Sequence, residues 1–481
     1  MPAALAALVA LCATPAAGGQ AQPDSPSTNA STTWSARNWT RAELWRFFEP
    51  FPGGGDNDYV YAANRLQVGV RRTTRRYEAT AAVQYVQFGG LPDAAAGPGP
   101  LGLGAVYYAH AGRADSHQAY LRYLNVRLNL PAGLRVQAGR MPYSSGGEAV
   151  SGDPKIEAVK RQRVEARLVG EFDWSIYQRG FDGVRVDTVR PAWSATAVAL
   201  QPTQGGFEDA AGLMMKNVGV LGANVTFKPD AVLPRTEWQL FAYHYDDDRR
   251  VAARPDNSGV SAARADVGIT TVGTTLVAAS VPRDGRQWDG LFWIAGQTGA
   301  WFGQTHRAFS VAAEAGHQWT GLPSRPWVRG GYLRASGDAD PADDRHGTFF
   351  QMLPTVRRYA QNASYSQMNN TDLFVQALLR PIESVGVRVD LHRIGLASAR
   401  DLWYFGSGAT QARGTAFGFS TRPGHGAAHL GTVVEGSADY AIAPGWSING
   451  YLGVMRGGGA VRPEFAGHTM TFGYLENVLQ F

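Results

Sequence analysis

Val385-Gly-Val-Arg-Val-Asp-Leu-His392 sets Val385, Val387, Val389 and Leu391 against Arg388, Asp390 and His392, residue by residue. A period of two with one apolar set is the mark of a strand in a sheet that is wet on one side. Leu66-Gln-Val-Gly-Val-Arg71 repeats it, with Leu66, Val68 and Val70 on one face and Arg65, Gln67 and Arg71 on the other. Phe309-Ser-Val-Ala-Ala-Glu-Ala-Gly316 puts Glu314 opposite Phe309, Val311, Ala313 and Ala315. Apolar outward and charged inward suits a water-filled barrel better than a packed sandwich. Runs of about ten such residues recur along almost the whole chain, as transmembrane β-strands require. The last of them, Met470-Thr-Phe-Gly-Tyr-Leu-Glu-Asn-Val-Leu-Gln-Phe481, closes on an aromatic residue. No run is long and apolar enough for a membrane helix, and the mean hydropathy of -0.22 argues against a helical membrane protein.

Composition agrees with that architecture. The 58 glycines suit bulges and crowded lumens, and the 11% aromatic residues suit interfacial girdles. Net charge is +5 and only four of the basic residues are Lys. The bland reading of so much Arg is a GC-rich genome. The functional one is a lumen that passes anions. Cys12 is the only cysteine, and bulky Leu11 before it argues against a lipoprotein site. Residues 1–21 read as a secretory signal peptide, with cleavage after Ala17 or Ala21 and a start codon placed too far downstream. A mature chain without cysteine holds no disulfide, thiolate metal site or Cys nucleophile. Residues 22–40 read as a disordered or periplasmic lead-in. The barrel is expected over 41–481, its first strand around Arg41–Pro50.

Connector lengths set the topology. Short turns fall at Thr73-Thr74, Pro131-Ala-Gly133, Arg190-Pro191, Pro381-Ile-Glu-Ser384 and Ala443-Pro-Gly445. Long polar connectors fall near 89–115, 144–179, 249–265, 336–370 and 396–426. Their alternation predicts an all-β, antiparallel up-and-down transmembrane barrel of about 18 strands, with short periplasmic turns and long extracellular loops. An even count puts both termini in the periplasm of a bacterial outer membrane.

A set of motifs then becomes specific. Gln118-Ala-Tyr-Leu-Arg122 and Leu134-Arg-Val-Gln-Ala-Gly-Arg140 form a hairpin ending in Gly-Arg. Ser151-Gly-Asp153, Val159-Lys-Arg-Gln-Arg-Val-Glu-Ala-Arg167, Arg179-Gly-Phe-Asp-Gly183 and Gln201-Pro-Thr-Gln-Gly-Gly206 follow. Phe405-Gly-Ser-Gly-Ala-Thr410 stands near the end. In this order they resemble the alginate export family of outer-membrane barrels over nearly the whole mature chain. The resemblance implies an 18-stranded barrel whose narrow arginine-lined pore passes an anionic polysaccharide. Trp446-Ser-Ile-Asn-Gly-Tyr451 carries no arginine where that family draws a basic group into its pore.

Arginine suits such a path because it binds carboxylates bidentately and stays charged. Weak sites in series let a chain slide. The candidate pore-lining or substrate-binding residues are Arg65, Arg71, Arg185 and Arg388, inward by alternation; Arg140, by its Gly-Arg motif; and Arg161, Arg163 and Arg167, which with Lys160 form a basic cluster in the long loop 144–179. A solvated or lipopolysaccharide-facing loop, or structural pairs such as Arg388 with Asp390 and Arg185 with Asp187, are the competing readings. Asp246-Asp-Asp248 and Asp338-Ala-Asp-Pro-Ala-Asp-Asp344 read first as solvated loop tips and second as oxygen ligands for calcium. The sequence has no Gly-X-Ser-X-Gly elbow and no His-Glu-X-X-His zinc motif. His110, His117 and His392 therefore read as lumen or loop residues, not catalytic ones. No cofactor, no metal and no nucleic acid are expected. Membrane lipid, lipopolysaccharide, an anionic saccharide and periplasmic secretion partners are. Against this passive anion channel stand a porin for other small anions and a receptor or adhesin with a plugged lumen. The loop 144–179 separates them by folding inward or projecting outward.

Overall fold

The computed structural model describes residues 30–97, 103–206, 211–251, 254–258, 265–355, 360–362, 364–406 and 419–481. The signal-peptide expectation and Cys12 lie outside them. Eighteen barrel strands stand among the described residues. In chain order they are β1 (Ser31–Arg46), β2 (Asp58–Thr73), β3 (Tyr77–Gly89), β4 (Ser116–Asn129), β5 (Leu134–Met141) and β6 (Phe181–Val189), then β7 (Trp193–Pro202), β8 (Val218–Phe227), β9 (Thr236–Asp247), β10 (Val267–Ala279), β11 (Arg286–Trp301) and β12 (Gln304–Trp319), and finally β13 (Trp327–Ala335), β14 (Asn370–Ile382), β15 (Val385–Leu396), β16 (His429–Ala443), β17 (Trp446–Gly457) and β18 (Thr469–Gln480).

Each strand pairs antiparallel with the next, and β1 pairs with β18 from Arg37↔Gln480 to Arg46↔Thr471. Phe481 N donates to Ala36 O at 2.8 Å, so the closure runs to the last residue. Closure is what a sheet needs in lipid, because no edge is left with unpaired backbone groups. No helix among the described residues is long and apolar enough to cross a membrane.

The first strand starts ten residues earlier than the sequence suggests, at Ser31 rather than Arg41. Its polar opening, Ser31-Thr-Thr-Trp-Ser-Ala-Arg-Asn38, pairs with Leu66–Thr73 at the short-turn end of the barrel, where side chains meet water and headgroups rather than hydrocarbon. Trp34 there is 74% exposed, as an interfacial residue would be. Residues 47–50, expected as strand, instead turn inward and bury Phe47 and Phe48.

The expected alternation holds along the wall. Leu66, Val68, Val389 and Leu391 face out, while Arg65, Asp390 and His392 are buried on the inner face. Trp34, Tyr77, Trp288, Tyr440 and Trp446 form an outer aromatic belt at the end carrying both termini and the short turns. The long connections leave from the other end, with one exception: Phe302 and Gly303 join β11 to β12 tightly. The apolar core lies inside the barrel, where residues 142–180 and the described residues of 90–97, 104–115, 336–355 and 360–369 pack against the inner wall.

Candidate functional site

The segment Ser151-Gly-Asp-Pro-Lys-Ile-Glu157 is built to start a helix, α1 (Pro154–Arg163). Asp153 caps it, accepting from Lys155 N at 2.8 Å and Ile156 N at 3.2 Å, and Pro154 takes the first helical position. Glu157 in the first turn and Lys160, Arg161 and Arg163 in the last complement the helix dipole. Ile156 and Val159 are fully buried, which turns this helix into the lumen instead of out to solvent.

Charge pairing fixes it there. Lys155 Nζ lies 3.5 Å from Asp289 on β11, donates to Gln318 at 2.9 Å and sits 3.4 Å above the Trp327 ring. Lys160 Nζ reaches Glu237 on β9 at 2.6 Å. Arg163 Nε donates to both oxygens of Glu314 on β12 at 3.0 Å. Arg167 stands 3.8 Å from the same carboxylate and over the Trp293 ring. Arg329 on β13 bridges Glu314, at 3.1 Å, and Asp289. Three wall carboxylates are thus matched by five cations, all but excluded from water. Burial lowers the Lys155 ammonium to about 7, because desolvation outweighs the pull of Asp289. Lys160 is displaced the other way: Glu237 and Glu157 overcome the desolvation of its buried ammonium.

The rest of the segment crosses to the opposite wall. Arg41 donates to Trp174 O at 3.0 Å, Arg65 to Ser175 O at 3.2 Å and Gln84 to Tyr177 O at 2.9 Å. Arg122 pairs with Glu171, whose carboxyl burial pushes up. A second inward segment is stitched alongside: Leu353 N donates to Leu168 O at 2.8 Å, and Gly170 N to Leu353 O at 2.7 Å. Residues 142–180 therefore form a strap across the lumen, tied to both walls and to residues 336–355.

The eight arginines expected to line a pore do not share one environment. Arg163 and Arg167 are in the lumen and meet on Glu314, but each is 1% exposed. Arg161, on the other side of the helix, keeps 37% of its side chain exposed and bonds Glu157 at 2.8 Å. Arg65 faces inward, buried against Trp39 and the strap. Arg185 and Arg388 face inward and pair with Asp187 and Asp390, the pairs named as their structural alternatives. Arg71 faces inward, half-buried, near the short turns.

Arg140 is the correction. It pairs in register with the outward Leu124, and its guanidinium chelates Asp182 at 2.7 and 2.8 Å on the outer face. A bulge in β4 between Leu121 and Tyr123 moves the alternation by one residue, so the Gly-Arg motif points away from the lumen. Gly139, at φ 111°, has the Leu124 carbonyl so close that no Cβ would fit.

Sequence reasoning missed Arg37 on β1, Arg127 on β4 and Arg135 on β5, all half-buried on the inner face in the same half as Arg71. Arg127 bonds Glu78 at 3.1 Å. Recognising that β1 starts at Ser31 and that β4 bulges would have exposed their parity. Arg179 was quoted but not chosen. Its guanidinium is buried over Phe172 without a hydrogen-bond partner among the described residues, and burial lowers it to about 9. The acidic tips behave as loop structure: Asp247 pairs with Arg249 at 2.7 Å, and Asp338, Asp340 and Asp343 each cap a backbone amide two residues on.

A protein-family model described as alginate export matches residues 53–473. No curated protein sequence matches the chain. Among solved structures, OccK9 (OpdG) of Pseudomonas aeruginosa is 12% identical, with 94% of this chain and 98% of that chain covered and a TM-score of 0.58. OccAB4 of Acinetobacter baumannii is 8% identical, covering 93% of this chain and 97% of that one, TM-score 0.57. OpdK of Pseudomonas aeruginosa, solved with vanillate, is 10% identical, with 93% and 98% covered and a TM-score of 0.54. Identities this low speak for the barrel fold and nothing finer.

Proposed function

This chain belongs to the alginate export family, an integral barrel and channel of the bacterial outer membrane, and from that premise we propose that it passes an anionic saccharide by passive diffusion past lumen-facing arginines. The observation that carries this reading is the inner face of β1–β5 on the short-turn side. There Arg37, Arg71, Arg127 and Arg135 stand half-exposed, with Glu78 as a neighbouring acid. A carboxylated sugar meeting them gains charge-assisted bonds without either partner being fully stripped of water. Four such groups on neighbouring strands provide successive weak sites, as passage requires. Arg161, exposed on α1, extends the path along the strap. Arg163, Arg167 and Arg388 support it by compensating the charge of the ionised wall carboxylates, so that those acids repel the solute less.

A second reading, a porin for small anions, has one observation in its favour. Residues 142–180 cross the lumen and are tied to both walls, an obstruction that a small carboxylate passes more easily than a polymer. Among fold neighbours, one was solved with vanillate, a small aromatic carboxylate.

Single-channel recording in a planar bilayer separates these. Anion selectivity in a salt gradient with block by polyuronate supports the saccharide path. Anion selectivity with block by monocarboxylates alone supports the small-anion porin. Cation selectivity, or a large unselective conductance, overturns both.

A further inference from the structure

The inner face of β14–β16 gathers Asp372, Asp390, His392 and Glu435, each no more than 3% exposed. His392 Nδ1 lies 3.0 Å from both oxygens of Asp372. That contact fixes the proton on Nδ1 and leaves Nε2 as the free ring nitrogen. Nε2 then lies 3.8 Å from Asp390 Oδ2 and 3.8 Å from Glu435 Oε1. At that distance a proton on Nε2 bonds neither oxygen. Nε2 has no hydrogen-bond partner, and neither has Asp390 Oδ1.

The same distances suit a cation held between three donors. Ligand bonds of about 2.0–2.2 Å around a tetrahedral ion separate the donor atoms by roughly 3.3–3.6 Å, so the two imidazole–carboxylate separations need close by only a few tenths of an ångström. The donor atoms of Asp390, His392 and Glu435 already lie within 4.8 Å of one another. Three carboxylates and one guanidinium, Arg388, leave a local charge that a divalent ion neutralises. One imidazole with two carboxylates suits zinc or a neighbouring first-row ion better than calcium or magnesium, which take all-oxygen sets.

We propose that Asp390, His392 and Glu435 bind one divalent transition-metal ion of the zinc class, with Asp372 orienting the imidazole from behind. The site is also an anchor. Glu435 accepts from Gln361 N at 2.8 Å and Asn362 N at 2.9 Å, and Asp372 accepts from Tyr365 at 3.2 Å. These three donors belong to the inward segment 336–369. An ion fixing the Glu435 and Asp390 carboxylates would hold that segment against the wall.

The test is calorimetric titration of zinc into tag-free, chelator-treated full-length protein folded in detergent. One site per chain is expected. Asp372→Asn should weaken it about 10- to 100-fold, and His392→Gln should remove it. No saturable binding to the wild type, or equal affinity in H392Q and E435Q, overturns the assignment. If H392Q fails to fold, cobalt substitution of the wild type decides: d–d bands of a four- or five-coordinate nitrogen–oxygen site support it, and the spectrum of the aqueous ion overturns it.

Discussion

Helix α1 and strands β1–β5 carry cations into the same lumen and employ them in opposite ways. On the helix, Lys155, Lys160 and Arg163 are spent on Asp289, Glu237 and Glu314 and are shut off from water. On the strands, Arg37, Arg71 and Arg135 remain half-exposed. The difference comes from what lies over each wall. Where the strap covers acidic strands, loop cations and wall carboxylates neutralise one another, and the pairs fasten a plug. Nearer the short turns, Arg71 and Arg135 are only partly buried, and their guanidiniums stay available. Arginine in a barrel lumen is therefore not one functional class, and only its cover decides whether it meets a solute.

The sharpest way to break this contrast is at Glu314, which holds Arg163 and Arg329 and lies near Arg167. Removing one member of a buried charge network leaves its partners uncompensated, at about 3–5 kcal/mol. Glu314→Gln should lower the thermal transition of the folded barrel in detergent and raise single-channel conductance as the strap loosens. Unchanged stability together with unchanged conductance would show that these pairs do not fasten the plug.

On the strand side the expected effect is on selectivity. Arg37, Arg71 and Arg135 changed together to Ala should move the reversal potential in a salt gradient markedly toward zero. Arg71 and Arg135, partly exposed, should each change stability by no more than about 1 kcal/mol, and Arg37, whose Nε is buried, by more. A reversal potential equal to that of the parent would take these residues out of the anion path.

How much of this was legible beforehand follows the range of the forces involved. Alternation in Leu66–Arg71 and Val385–His392 is a local signal, and it placed Arg65, Arg71 and Arg388 on the correct face. The strand number was legible for the same reason, and so was the order of short and long connections except at the tight Phe302-Gly303 turn. The start of β1 was not, because Ser31–Asn38 reads as a polar leader until its pairing with β2 is known. The orientation of Arg140 was hidden by a bulge a strand away. The partner of Arg163 lies 151 residues further along the chain, and no local pattern announces it.

A smaller effect should appear in the loops. Asp401 accepts from Asp338 N at 2.8 Å and from Tyr404 at 2.7 Å, and also takes the Thr348 hydroxyl, so it ties the loop after β15 to the loop after β13. Despite these donors, burial raises its carboxyl to about 6. The folded chain then keeps a proton that the unfolded chain releases near pH 4. The stability from this proton is complete below about pH 4 and is lost as pH rises through about 6, on the order of 1–3 kcal/mol. Protection of the loop amides, corrected for the intrinsic base-catalysed exchange rate, should fall between about pH 4 and 6, and Asp401→Asn should flatten that dependence. The same slope in D401N would place the titration elsewhere.

The smallest change separates the two faces of one helix. Arg161 is two residues from Arg163 on α1, yet it is 37% exposed and pairs with Glu157 one turn back. Such an exposed i, i+4 pair contributes about 0.3–0.5 kcal/mol. Arg161→Ala should therefore leave the thermal transition almost unmoved and reduce anion preference slightly. Arg163→Ala, two positions on, should cost stability several times over by stranding Glu314 without its bidentate partner. Equal losses from both variants, read in the same melting experiment, would mean that the helix is held by its charge as a whole rather than by the face it turns to β12. Unequal losses in the predicted order would locate the boundary between plug and path within a single turn of α1.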